Sequence, residues 1–350
     1  MSPQAESTHP VKSSLAEKRR RWHPADLAPF ISLAAITLFF VFTVDDFLNV
    51  GTLTLVLSQG AVLAIVSVGL TYVLLCAEID LSVGTIALLA ACLCGILFEQ
   101  PFAAGRGGTG ELSWTALAVV LAVPFLTALV LGLISGLLTV SSGLPSFIIT
   151  LAMMNIATGL SRYLTQSEKF NVPDVLKTIG NGDFRLVGNF YCPDSAVLAA
   201  AVLLIGHLVL RHSRFGRFVY MTGGNREAAR LAGVRTNRIV VASLAICAVT
   251  SALGGLVNAG RLESVSLDQN ADLLLDAVAC VVLGGTSLFG GVGGMGRTLI
   301  GVVTFTVLKV GLSLMSVGWI TNFDLLRPFL MGVVLMVALV INGILSRRRD

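Results

Sequence analysis

Long apolar runs separated by short polar stretches organise this chain. The runs cover residues 28–44, 53–76, 81–98, 114–140, 145–160, 195–210, 239–259, 273–288, 298–317 and 326–345. Crossing the hydrocarbon core of a bilayer takes about 20 apolar residues in a helix, and a helix satisfies its own backbone groups there. The pattern therefore predicts an all-α integral membrane protein with about ten transmembrane helices. The fourth run contains Pro124, which predicts a kink, and a Gly132/Gly136 pair spaced for close helix contact. Pro145 is placed to start the fifth. Gly284-Gly285 interrupts the eighth, so spans two, three and eight are candidates for broken helices.

The polar stretches are as informative as the runs. Residues 211–238 carry seven arginines against one glutamate. Within them lies a short helix with both ends written in. Gly223-Gly224 breaks the chain, Asn225 can cap, residues 226–232 are helix-compatible, and Gly233 can take the left-handed stop. Two turns are too few to be stable alone in water, so this helix needs support from its flanks or a partner. Residues 161–194 are long enough for a small docking surface, and residues 1–24 read as a disordered basic tail. No cleavable signal is expected at the start.

Composition narrows the class. The chain has 350 residues, 55% hydrophobic and only 13% charged, where soluble domains carry roughly 25% charged residues. Mean hydropathy is +0.86. A soluble domain is excluded. Sixteen of the 24 lysines and arginines fall on the side that holds the tail, the basic loop and the C-terminal arginines. By the positive-inside rule both termini are expected in the cytoplasm. Orientation accounts for the basic charge, so nucleic acid is not expected as a partner.

Candidate chemistry is sparse. The run Gly291 to Thr298 matches a P-loop except for Arg297 where lysine belongs. It also satisfies GxGxxG, but no acid follows until Asp324, so a tight glycine turn is the better reading. Six cysteines form no CxxC pair and the four histidines are scattered, so no metal or cofactor is expected. No hydrolase or zinc-protease signature occurs, and the chain reads as a non-enzyme. Ionisable groups in or beside apolar runs are Glu78, Asp80, Asp276 and Lys309. Asp80 reads as an N-cap or gating residue of the third span. Lys309 either pairs with Asp276 or snorkels outward. Gln59, Asn155 and Asn258 either line a path or bond helices together. Gln59, Asp80, Asn155, Asn258 and Lys309 are the candidates for the translocation path or its gating.

At Glu227-Ala228-Ala229-x-x-x-Gly233 the chain resembles the cytoplasmic Glu-Ala-Ala…Gly loop of bacterial ABC importer permeases. Three further stretches narrow this to the monosaccharide branch, the ribose- and xylose-type permeases: Ile79-Asp80-Leu81-Ser82-Val83-Gly84, residues 144–151 (LPSFIITL), and residues 281–288 (VVLGGTSL). The family usually has two glycines before Ile-Asp, where this chain has Ala77 and Glu78. The resemblance implies a multi-pass permease of the bacterial inner membrane that moves a monosaccharide or related polyol. It implies a second copy of the chain, a separate ABC ATPase subunit and a periplasmic sugar-binding protein. Asn225, Glu227, Ala228, Ala229 and Gly233 would form the coupling helix seated on the ATPase, residues 211–238 the coupling loop within a permease domain of residues 25–346, and residues 161–194 a periplasmic loop. The alternative is a secondary transporter coupled to H⁺ or Na⁺, for which the loose acids and glycine-broken spans speak.

Overall fold

The computed structural model describes residues 24–100, 113–187, 190–315 and 323–347. The basic tail, apart from Pro24, and the last three residues lie outside these. Thirteen helices occur among the described residues: α1 (Pro24–Thr43), α2 (Val50–Leu75), α3 (Val83–Phe98), α4 (Trp114–Ser142), α5 (Ser146–Thr165), α6 (Asp174–Asn181), α7 (Asp194–His212), α8 (Arg214–Gly224), α9 (Arg226–Leu231), α10 (Thr236–Arg261), α11 (Leu273–Leu283), α12 (Met295–Leu314) and α13 (Phe323–Arg347). Four short strands accompany them: β1 (Phe170–Asn171), β2 (Asp183–Val187), β3 (Phe190–Pro193) and β4 (Ser264–Val265).

Six helices are long and apolar enough to cross a bilayer: α2, α4, α5, α7, α10 and α12. Leu27–Thr43, Val83–Phe98, Leu273–Leu283 and Leu326–Val337 are shorter apolar helices. Helices α2 and α10 are apolar all round and are buried accordingly, each about 39 Å long at 1.5 Å per residue. Leu70, Leu74, Val83, Leu244, Val257 and Phe305 close the core around them. The rim helices α4 and α7 turn leucines and isoleucines such as Leu137 and Ile205 outward. That is how a membrane bundle meets lipid. Gly132 and Gly136 let α4 lie against α10: a side chain at either would run into Ala248 or Val241.

Several boundaries differ from the sequence reading. Helices α2 and α3 are unbroken, and α4 runs continuously through Pro124. The eighth run is helical only to Leu283, because Gly284 ends α11 and Gly285 turns at φ +86°. Residues 214–224 are a helix, not loop. Ser213 caps α8 by accepting from Gly216 N–H at 3.0 Å, and Val219 is buried among Tyr72, Leu210 and Met295. The long segment after α5 holds α6 and a β2–β3 hairpin, and β1 pairs antiparallel with β4 just beyond α10. This pairing puts the segment on the same face as the α10–α11 connection. The basic loop lies at the opposite end of α10.

Candidate functional site

The basic-loop face is built around α9. The Asn225 Oδ1 accepts the Ala228 N–H at 2.9 Å, and Gly233 turns left-handed at φ +82°. Val234 N–H then bonds back to the Ala229 carbonyl at 3.0 Å, which closes the helix end. Ala229 is buried, whereas Leu231 is 90% exposed and Glu227 faces outward beside Arg230. One side of α9 therefore grips the bundle and the other presents a bare leucine.

The grip reaches the α2–α3 linker. The Arg226 guanidinium pairs with the buried Glu78 carboxylate and donates to the Cys76 carbonyl at 3.3 Å. Glu78 is thus an ion-pair partner. Gly223 sits so close to the Leu75 carbonyl that no side chain fits there. The Gly291 N–H, from the glycine turn between α11 and α12, donates to that same carbonyl at 3.0 Å. Ala77 is held left-handed at φ +59°. The basic loop, the glycine turn and the end of α2 meet at one node.

Asp80 lies two residues beyond Glu78 and is 2% exposed. Helix α3 begins only at Val83 with Ser82 at the cap position, so Asp80 is not its N-cap. Its Oδ1 instead accepts from the Ser82 N–H at 2.9 Å and the Ser82 hydroxyl at 2.6 Å. Burial pushes the Asp80 carboxyl above the usual carboxylate range, and the Ser82 bonds offset only part of that rise. The linker is tied to α5 as well: Ile79 N–H donates to Ser146 Oγ at 3.0 Å and Leu81 N–H to Thr150 Oγ1 at 3.1 Å. The Ile-Asp-Leu-Ser and Leu-Pro-Ser-Phe stretches that carry the resemblance are hydrogen-bonded neighbours.

Toward the other face, α2, α10, α11 and α12 enclose a polar cavity of about 150 Å³. Gln59, Asn258 and Lys309 all line it. The Lys309 ammonium donates to Asp276 Oδ2 at 2.6 Å across α11 and α12, so the pair is internal and Lys309 does not snorkel away from it. Asn258 donates to Asn270 Oδ1 at 2.9 Å, and Arg261 holds Asn258 Oδ1 at 3.3 Å. Gln269 and Asn270 line the cavity, and their side-chain nitrogens are buried with no acceptor among the described residues. Residues 268–272 (DQNAD) escaped the sequence reading, although so polar a cluster between two apolar runs was the available signal. Asn155 does not join this group. It is exposed on α5 and donates to the Leu151 carbonyl at 2.9 Å. Asp80 belongs to the linker and not to the cavity.

Among the described residues no group of histidine, cysteine or acidic side chains could hold a metal ion. An all-helical membrane bundle with a polar internal cavity at one face and a small gripped helix at the other defines a transport permease. The chain belongs to the family described as the permease component of the branched-chain amino acid transport system, whose model matches residues 52–339. It is 30% identical over 298 residues to the ribose import permease protein of Escherichia coli K12, covering 85% of this chain and 87% of the relative. The ribose import permease protein of Bacillus subtilis 168 is 32% identical over 327 residues, 90% of this chain and 92% of the relative. The fructose import permease protein of Rhizobium meliloti is 31% identical over 300 residues, 84% and 79% of the two chains. No solved structure matches significantly.

Proposed function

We propose that this chain is the membrane-spanning permease of an ABC importer that carries a monosaccharide or related polyol inward. It works as a homodimer with a separate ATPase subunit at the basic-loop face and a soluble sugar-binding protein at the other. The observation that carries this is the attachment of α9: Leu231 is bare on its outer side, while Arg226 on its inner side holds the Glu78 linker. A partner that moves α9 pulls on the end of α2 and on the segment carrying Asp80. ATP binding on that partner would bias a two-state equilibrium of access at a distance. The arginines of this face support a cytoplasmic position for it.

The cavity at Gln59, Asn258 and Lys309 supplies the polar station on the path. Its polar wall, with Gln59, Asn258 and Asp268, suits the hydroxyl groups of a small polyol, and the segment of residues 161–194 would dock the binding protein. Asn155, halfway along a mainly apolar exposed face of α5 that ends at Arg162, favours a protein neighbour there, and a second copy of the chain is the one this reading supplies. Ion coupling has less motive, because Asp276 is matched by Lys309 and Glu78 by Arg226, which leaves Asp80 as the one acid of this set without a basic partner among the described residues. The test is uptake into proteoliposomes holding the permease with its ATPase and binding protein. Labelled ribose, xylose or fructose should accumulate only with ATP, and accumulation driven by a proton or sodium gradient without ATP would refute the reading.

A further inference from the structure

A groove on the outside of the bundle takes no part in any of this. It begins at the basic-loop face as a cavity of about 410 Å³ between the end of α7, α8 and the start of α12, with Arg211, Arg217 and Arg297 in its wall. It continues between α7 and α12 as an apolar cavity of about 290 Å³ along Ala200, Leu203 and Leu299. His207, Met295 and Gly296 belong to both, so the two are one channel. A further apolar cavity of about 160 Å³ shares Ala200, Leu203 and Leu299 and extends the channel to Ala196 and Thr306. From His207 to Ala196 is eleven residues of α7, about 16 Å of helix. That is close to one leaflet's share of a hydrocarbon core about 30 Å thick.

The head of the groove is built for an anion. Arg211 and Arg217 are exposed, and neither pairs with an acid among the described residues. Arg297 is held in place by donating to the Gly285 carbonyl at 3.2 Å. The Tyr220 hydroxyl donates to the Gly293 carbonyl at 3.0 Å and fixes the turn that starts α12. A free anion would satisfy the arginines and leave the apolar channel unexplained. A neutral lipid would fill the channel and leave Arg211 and Arg217 unanswered.

We propose that this groove binds one anionic phospholipid of the cytoplasmic leaflet, with its phosphate on Arg211, Arg217 and Arg297 and an acyl chain between α7 and α12. The test is native mass spectrometry of the delipidated full-length chain, titrated with phosphatidylglycerol or with phosphatidylcholine of the same acyl chains. One phosphatidylglycerol should be retained in preference to phosphatidylcholine. Arg211→Ala/Arg217→Ala should weaken phosphatidylglycerol about 30-fold and leave phosphatidylcholine unchanged, taking about a kilocalorie per cation near a membrane surface. Gly296→Phe, whose side chain grows into open space at the junction of head and tail, should block phosphatidylglycerol while the chain still elutes as a single species. Equal retention of both lipids overturns the proposal. Displacement of phosphatidylglycerol by inorganic phosphate would show a site for free anions only. A disulfide between copies at Ala200→Cys in native membranes would show that a second copy fills the groove.

Discussion

Removing the Arg226 side chain separates the two jobs assigned to α9. In Arg226→Met the helix keeps its cap at Asn225 and its bare Leu231, but Glu78 loses its partner in a site where its side chain is 9% exposed. Breaking a fully buried ion pair costs about 3–5 kcal/mol, and breaking a surface pair about 0–1. The Arg226 side chain is 38% exposed, so water reaches the site and the cost should be about 2 kcal/mol. Glu78→Gln keeps an acceptor oxygen for the guanidinium and loses only the charge, for about 1 kcal/mol. The double variant removes both the charge and its partner and should cost less than the sum, with a coupling of about 1–2 kcal/mol. Equilibrium unfolding in mixed SDS micelles measures all four forms. In proteoliposomes Arg226→Met should still hold the ATPase subunit, while hydrolysis proceeds with little uptake. Additive single effects, or full uptake by Arg226→Met, would refute the link between α9 and the linker.

Other outcomes follow from the same geometry. Gly233→Val forces a β-branched residue to φ +82°, which strains the end of α9 by about 1–3 kcal/mol although nothing stands within 4 Å; ATPase co-purification should fall. Ala77→Gly relieves a left-handed alanine and should stabilise the chain by about 0.5–1 kcal/mol, read as a raised unfolding midpoint. Gln59→Ala and Asn258→Ala should raise the KM of uptake without changing sugar affinity of the isolated binding protein. The fold raises the Asp80 pKa, so its contribution to stability is present below about pH 4, the ordinary aspartate value, and is lost as pH rises through the folded value. Asp80→Asn keeps the acceptor for Ser82 N–H and should unfold with a weaker pH dependence than the wild type, whereas Asp80→Leu leaves the Ser82 donors unpaired and should be destabilised by about 1–3 kcal/mol.

What the sequence discloses is local. Asn225 and Gly233 are readable because a cap and a left-handed stop act within a few residues of themselves. The apolar runs are readable because lipid imposes their length. Helix α8 was hidden by its arginines, although Phe215, Phe218, Val219 and Thr222 repeat at helical spacing along it. The partners of Glu78 and of the α2 carbonyls lie about 150 and 215 residues away, and no local pattern announces them. Asn258 and Asn270 meet only because the chain turns back between α10 and α11. Gln59, Asp80, Asn155, Asn258 and Lys309 were candidates for the path or its gating on polarity and charge, which do not say which of them share a cavity.

The central claim is that α9 is the seat of an ATPase, and Leu231 tests it most directly. Burying one leucine is worth about 1.5–3 kcal/mol, so its loss should weaken the contact by about 10- to 100-fold. The measurement is the affinity of the ATPase subunit for the permease in lipid nanodiscs, wild type against Leu231→Asp, by biolayer interferometry. The side chain is 90% exposed, so the variant should insert and fold normally. A drop of at least tenfold, with uptake lost in step, is the predicted result. Unchanged affinity in a correctly inserted Leu231→Asp permease would contradict the account.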